Sequence, residues 1–427
     1  MDAAPTVSAQ INASSPADKR LVRRNLGLLW LGQFVSVTGD SVFSTCIGFL
    51  VLYQLAGDAS FEVGLTRSME ALPFLLFGAY AGVLVDRLSR RGVMLAADLA
   101  RALIIGAIPV LYFAGGLYWW MLPGAAFLSY TFATAFNPAR DALLPDLAGG
   151  ANLLRVNSFF QTSTQLAVIL GAGLVGILLA PAVAGQAVGA DGIAWLLVGD
   201  AASFLFSFGC LLLIRVPKRD VVATGRASQW SELRESLSSA AKDGRLRGLL
   251  FLTAVDNFFI MGPAIVGGMF LIKGYLGLET WAFGVFEAAL AGGWFVGTLV
   301  LSRIGGRFKT GHLVIGGMIL DGLTYVPFLW LTTFEAFLVA VFVHGLTIPL
   351  ITVGRTTLIQ KHYPRERLGR IFALVAITVQ GFTALSAFAT GLALQYIGPR
   401  ELFFWGGALG AACGVIGLSF KGLRRAE

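Results

Sequence analysis

From Arg24 onward the chain alternates long apolar runs with short polar breaks, and the alternation continues almost to the last residue. The runs predict helices at about 25–53, 63–85, 92–114, 117–137, 157–181, 193–214, 248–273, 279–302, 311–331, 334–354, 371–396 and 401–420. Each is near or above the ~20 residues needed to cross the hydrocarbon core of a bilayer. Twelve such runs predict an all-α membrane protein. Residues 1–24 are polar, rich in Ala and Ser, and lack the apolar stretch and cleavage site of a secretory leader, so they read as a tail.

One polar interruption is much longer than the rest. Residues 215–247 carry 8 of the basic residues and separate six predicted helices (25–214) from six more (248–420), leaving 421–427 as a second tail. Within the interruption, 228–242 places Trp230, Leu233 and Leu237 on one helical face. It reads either as an amphipathic segment lying on the membrane surface or as a solvated linker.

Composition agrees with the pattern. Of 427 residues, 56% are hydrophobic and 13% charged, with a mean hydropathy of +0.76. A soluble domain carries charge on about a quarter of its positions. The 53 Gly and 33 Phe suit helices packed closely in lipid. The net charge of +8 is explained by its placement. With the N-terminus in the cytoplasm, 27 of 32 Lys and Arg fall on that side. Arg101 and Arg355 lie within or at the ends of helices, and Arg67, Lys273 and Arg400 fall on the other side. The positive charge therefore orients the chain, with both termini cytoplasmic, and does not call for nucleic acid.

Enzyme chemistry finds no foothold. His312, His344 and His362 have no partner at metal-ligand or nucleophile–base spacing, and no GxxxxGK[ST] phosphate loop occurs. Cys46, Cys210 and Cys413 sit in apolar runs without paired spacing. No cofactor and no metal is expected.

The two halves share an offset. Gly82, Leu84 and Val85 recur as Gly297, Leu299 and Val300, and Arg140, Leu143 and Leu144 as Arg355, Leu358 and Ile359, all 215 positions on. Separated segments with one offset near half the chain length point to duplication.

Three segments are distinctive. Gly82-Val83-Leu84-Val85-Asp86-Arg87-Leu88-Ser89-Arg90-Arg91 joins a helix-packing glycine to an acid–base pair and a distal basic pair. Phe136-Asn137-Pro138-Ala139-Arg140-Asp141 leads to Leu143-Leu144-Pro145-Asp146 and then Arg155, Asn157 and Ser158. Thr357-Leu358-Ile359-Gln360 leads to Pro364, Arg365, Arg367, Gly369 and Arg370. With Gln33, Gly39-Asp40 and Leu72-Pro73, these resemble the major facilitator superfamily, in particular its bacterial exporter branch of enterobactin exporters and macrolide efflux proteins. Lysophospholipid transporters are more distant relatives. The helix-five run Leu170-Gly171-Ala172-Gly173-Leu174-Val175-Gly176 lacks the proline many such exporters carry there. The resemblance implies two six-helix bundles around a midplane cavity, alternating access, and residence in a bacterial inner membrane as a monomer. It also implies Gly82, Asp86, Arg87, Arg90 and Arg91 as a conformational loop motif.

Ionisable residues inside spans are the sharpest functional signal, since burying one costs ~2.5–3.5 kcal/mol on insertion scales. Asp98 and Arg101, three apart on one helix face, are expected to form a structural charge pair. Asp200 is expected to hydrogen-bond neighbouring helices, and Asp321 stays open between that role and a functional one. Asp40 and Asp256, 216 apart, and Glu70 and Glu287, 217 apart, hold corresponding places in the two halves. These four are the candidates for proton coupling, Asp40 first; the plainer reading is that they tie helices together and never titrate. Gln33, Phe43, Phe258, Phe259 and Trp294 are candidate cavity residues, whereas Trp119, Trp120 and Trp281 fall where an interfacial belt is expected.

The expectation is export of a small amphipathic molecule, siderophore or macrolide-like, in exchange for protons. A lysophospholipid flippase and a non-transporting membrane sensor or scaffold remain open as alternatives.

Overall fold

The computed structural model describes residues 16–54, 59–148, 153–179, 189–215, 243–304, 307–363 and 365–426. Twelve long helices run through them. The first six are α1 (Pro16–Gln54), α2 (Ser60–Arg87), α3 (Arg90–Phe113), α4 (Met121–Ala148), α5 (Leu153–Leu178) and α6 (Gly189–Leu213). The second six are α7 (Gly244–Tyr275), α8 (Thr280–Ile304), α9 (Thr310–Tyr325), α10 (Phe334–His362), α11 (Arg365–Ala393) and α12 (Pro399–Gly417). Eight of them are long and apolar enough by themselves to cross a membrane. Among the other four, α2 carries Glu62, Arg67 and Glu70 within its length, and α4 carries Arg140, Asp141 and Asp146. The proposed surface segment 228–242 lies outside the described residues.

Local chemistry sets several boundaries. Ser89 caps α3 by accepting from the Gly92 amide at 3.2 Å, and Asp243 caps α7 by accepting from Arg245 and Leu246 at 2.8 and 3.3 Å. The α7–α8 turn passes through Gly277 at φ +66°, a left-handed conformation suited to glycine. Several helices overrun their sequence-predicted bounds. α1 begins at Pro16, inside the predicted tail, α11 begins at Arg365, α4 continues to Ala148 through Pro138 and Pro145, and α10 continues to His362. The charged motifs around Arg140 and Arg355 are thus the last turns of helices, not loops, because a long arginine can reach polar partners from a helix end.

α7 is irregular. After Asp256 it opens into wide five-residue turns at Asn257–Met261, Pro263–Gly267 and Leu271–Tyr275. Pro263 removes one backbone donor, and the displaced Gly262 amide donates instead to Ser386 Oγ of α11 at 2.7 Å.

The two halves repeat each other in their contacts. α1 packs on α5 and α6, α2 on α4, and α3 on α4 and α6; in the second half α7 packs on α11 and α12, α8 on α10, and α9 on α10 and α12. The halves meet through α2 against α11 and, in the equivalent place, α5 against α8.

That meeting is one-sided. One continuous apolar core draws Phe43, Phe49 and Val63 of the first half together with Ile272, Phe283, Phe286, Phe337 and Phe403 of the second. All of these lie toward the face opposite the two chain ends. Toward the face that carries the chain ends there are two separate cores. One is built on Leu29, Met94, Leu143 and Leu211, the other on Leu249, Ile315, Leu358 and Leu374. Glycines make the closure close. A Cβ on Gly64 would sit 2.7 Å from Gly391 Cα, and one on Gly284 would sit 2.7 Å from the Ala172 carbonyl.

Candidate functional site

At the seam between the halves, on the core-sealed side of the midplane, α1, α2 and α8 gather a polar cluster. α1 contributes Ser44 and Thr45, α2 contributes Arg67 and Glu70 one turn apart, and α8 contributes Glu287. Arg67 Nη1 donates to Glu70 Oε1 and to Ser44 Oγ, both at 2.7 Å, and also reaches the Ser44 carbonyl. Ser44 Oγ in turn donates to Glu70 Oε2 at 2.7 Å. Across the seam, Thr45 Oγ1 stands 2.7 Å from Glu287 Oε2 and 2.8 Å from the Ser41 carbonyl. Arg67 is nearly sealed off, with 3% of its side chain exposed. Arg67 thus pairs with Glu70 of its own helix, while Glu287 of the other half is held by the neighbouring Thr45 hydroxyl of α1 and feels the Arg67 charge only through space.

A second contact near the sealed face crosses the halves. Tyr53 of α1 donates its hydroxyl to Glu279, and the Lys273 ammonium lies 3.2 Å from the centre of the Tyr53 ring.

Within the first half the structure corrects the expected Asp98–Arg101 pair. Arg101 instead closes on Asp40 of α1 with both terminal nitrogens, while its Nε donates to Ser129 Oγ of α4 at 3.1 Å. The guanidinium also covers the Phe204 ring at 4.2 Å. The reason is reach: the arginine spans to the neighbouring helix, whereas the short Asp98 side chain stays beside Ser207 of α6. Asp98 and Asp200 are both buried; neither Asp98 oxygen has a hydrogen-bond partner, and Asp200 leaves its Oδ2 without one.

The other predicted residues are dispersed. Phe43 is fully buried in the sealed core, so it packs the bundle and does not line a cavity. Phe258 and Phe259 are half-buried with ring centres 5.1 Å apart, and the Phe259 carbonyl lies against Gly406 of α12. Trp294 is half-buried on α8, its backbone against Gly345. Gln33 accepts from Arg140 Nη1 at 2.8 Å, joining α1 to the end of α4. Asp256 keeps one buried oxygen without a hydrogen-bond partner.

In the loop motif, Gly82, Asp86 and Arg87 belong to the last turns of α2, and their side chains lie outside the described residues. Arg90 bonds Asp146 at 2.5 Å and the Ala142 carbonyl at 2.7 Å. Arg91 donates to the Leu211 and Leu212 carbonyls, each at 2.7 Å, closing the C-terminal end of α6. The two arginines therefore tie the start of α3 to the ends of α4 and α6.

Sequence reasoning placed Arg67 within the 63–85 run but counted it only as a charge on the non-cytoplasmic side and did not name it a site residue. Its three-residue spacing from Glu70, the same spacing that singled out Asp98 and Arg101, was the available signal. No group of three His, Cys, Asp or Glu that could hold a metal ion occurs among the described residues.

Twelve helices in two contact-equivalent halves, with buried charges clustered at their seam, describe a known architecture, and a family model for it matches residues 29–382. The chain belongs to the Major Facilitator Superfamily. As a major facilitator protein it is a multi-pass membrane transporter and not an enzyme. It is 24% identical over 387 residues to macrolide efflux protein A of Streptococcus pyogenes, covering 89% of this chain and 92% of that one. The nucleoside transporter NupG shares its fold with a TM-score of 0.72 at 10% identity, over 93% of this chain and 98% of that one. A bacterial homologue of the iron transporter ferroportin, in its inward-facing state, superposes with a TM-score of 0.74 at 16% identity over the same shares.

Proposed function

We propose that this transporter exports a small amphipathic molecule from the cytoplasm by alternating access, in exchange for protons, and that Glu287 carries the exchanged proton. The hydrogen count around Thr45 carries this reading. The Thr45 hydroxyl has one hydrogen but two oxygen partners, the Ser41 carbonyl at 2.8 Å and Glu287 Oε2 at 2.7 Å. Both contacts are satisfied when Thr45 donates to the carbonyl and a protonated Glu287 donates to Thr45. Glu70, by contrast, accepts from both Arg67 and Ser44, the pattern of an ionised carboxylate. One cation then balances one anion, and the second acid is neutral until its proton leaves.

Asp40 is the weaker choice for this role because Arg101 already neutralises it in a two-nitrogen ion pair. Loss of the Glu287 proton would put two carboxylates on one guanidinium across the seam, an arrangement that favours separation of α1 and α2 from α8. With both chain ends in the cytoplasm of an inner-membrane monomer, the sealed outer face makes this the inward-open state, ready to load substrate. A proton crossing 100 mV supplies ~2.3 kcal/mol, enough for roughly a fiftyfold gradient. The kinship with macrolide efflux proteins supports a substrate of that class, siderophores and similar lipophilic metabolites included.

The test is uptake of a macrolide or a fluorescent amphipathic dye into everted vesicles energised by respiration. A protonophore should abolish accumulation. Transport that persists unchanged with the proton gradient collapsed would remove proton antiport and favour lipid flipping instead.

A further inference from the structure

We infer that the second half holds its own proton site, a hydrogen carried by Asp321 of α9 and shared with Thr347 of α10, beside His344 and Asp256. Its role in transport rests on the proton-antiport reading above; the site itself does not.

The repeat draws attention to it. Asp40 and Asp256 stand at equivalent places on α1 and α7, and Ser129 and His344, 215 positions apart, at equivalent places on α4 and α10. In the first half the third helix contributes Arg101, which binds both Asp40 and Ser129. In the second half the third helix contributes Asp321, which bonds Thr347 of α10 and faces His344 there. One half has an ion pair where the other has two acids and an imidazole.

No ion pair like that of the first half forms among the described residues. Arg355 of α10 bonds Thr253 Oγ1 at 3.4 Å; its charge reaches Asp256 through space without an ion-pair contact, and Asp321 has no such cation. Tyr325 of α9 stacks on the His344 ring at 4.1 Å, and α12 presents the edge of Phe403 to Tyr325 at 4.8 Å. α8 contributes Gly293 and the Trp294 backbone against Gly345. Asp321 and His344 are each 2% exposed, and Asp256 leaves a buried oxygen unbonded. An uncompensated anion in this setting costs several kcal/mol.

Hydrogen positions follow from the contacts. Thr324 Oγ1 spends its only hydrogen on the Asp321 carbonyl at 2.6 Å, so His344 Nδ1, 2.8 Å from that hydroxyl, is the donor between them. Thr347 Oγ1 lies 2.6 Å from Asp321 Oδ1 and 2.6 Å from the His344 carbonyl. Both are at the short end for hydroxyl hydrogen bonds, and one hydrogen cannot serve both. A second hydrogen on Asp321 completes the set: Asp321 donates to Thr347, which donates to the carbonyl. The 3.5 Å between His344 Nδ1 and Asp321 Oδ1 is longer than an imidazolium–carboxylate bond, as a neutral pair requires. The ligand is a proton.

The experiment is infrared difference spectroscopy on the purified, reconstituted protein, comparing acid with alkaline buffer and light with heavy water. The wild type should show a protonated-carboxyl C=O band that shifts on deuteration. Asp321→Asn should lose that band, Thr347→Val should keep it but move it toward the position of an unbonded acid, and Glu287→Gln should leave it in place. Persistence of the band in Asp321→Asn, its insensitivity to Thr347→Val, or its removal by Na⁺ at constant pH overturns the proposal. A band that behaves as expected in a protein whose transport ignores protonophores would keep this site and discard the antiport reading.

Discussion

Arg101 of α3 closes on Asp40 of α1 and leaves Asp98, one turn away on its own helix, outside the ion pair. The contact joins two helices that otherwise meet mainly through α6 and α4, so its loss should be felt by the whole first half. Removing one partner of a buried pair costs about 3–5 kcal/mol; because 27% of the Asp40 side chain is exposed and water screens it, the low end applies. Arg101→Gln should therefore melt well below wild type in detergent, and Asp40→Asn combined with Arg101→Gln should recover part of the loss. A single mutant as stable as wild type would show that the pair is dispensable.

Glu287 and Glu70 should separate cleanly. Glu287→Gln imitates the protonated acid and keeps the Thr45 contact, so the protein should fold and bind substrate. It should nevertheless lose the roughly fiftyfold accumulation a proton supplies. Glu70→Gln removes the one carboxylate that ion-pairs with a nearly sealed Arg67 among the described residues and should lower folded yield. Substrate accumulation in everted vesicles, set beside folded yield, distinguishes the two; equal behaviour would contradict the assignment of proton and counter-ion.

Part of this was legible before any coordinates. Twelve spans follow from run length alone, and the repeat offset gives Glu70 and Glu287 corresponding places in the two halves but does not say what either touches. Partners were less legible. Arg67 was counted only as an orienting charge near the outer end of its predicted helix, yet with Ser44 and Glu70 beside it the charge is a partner inside the bundle. Asp98 and Arg101 share a helix face, but spacing along one helix says nothing about the acid opposite on another. His344 was set aside for want of a motif; its partners Asp321 and Thr324 come from α9, and no local pattern reports a pairing between helices. Phe43 looked like a cavity aromatic until its burial in the sealed core was visible.

The glycine contacts make the sealed face sensitive to single methyl groups. A Cβ at Gly284 would meet the Gly176 backbone and the Ala172 carbonyl, and one at Gly391 would meet Ser60 and Gly64. Overpacking of this kind costs about 1–3 kcal/mol, and here it weighs on one conformation. Gly284→Val should therefore favour the state in which α5 and α8 part. The measurement is accessibility of a cysteine placed at Gly176 to a membrane-impermeant thiol reagent, with Cys46, Cys210 and Cys413 replaced by Ser. Labelling from outside should rise in the Gly284→Val background; unchanged labelling would argue that these glycines do not gate the face.

Outside the spans, Asp243 gives a pH dependence with a definite sign. Burial works to raise its carboxyl, but the Tyr363 hydroxyl at 2.6 Å, the Arg245 and Leu246 amides and the Arg245 charge outweigh it and hold it below its ordinary 3.8. A carboxyl held low in the folded state contributes stability fully above its unfolded value and loses it as pH falls through the folded value. Its share should thus be intact at neutral pH and fade below about pH 4. Asp243→Asn keeps a capping oxygen for α7 but gives up the charge-assisted bond from Tyr363, so it should cost on the order of 1 kcal/mol at pH 7. The difference from wild type should shrink as the buffer is acidified. Acid unfolding followed by circular dichroism in detergent reads this directly: curves that converge toward low pH support the capping role of the charge, and a gap that widens on acidification contradicts it.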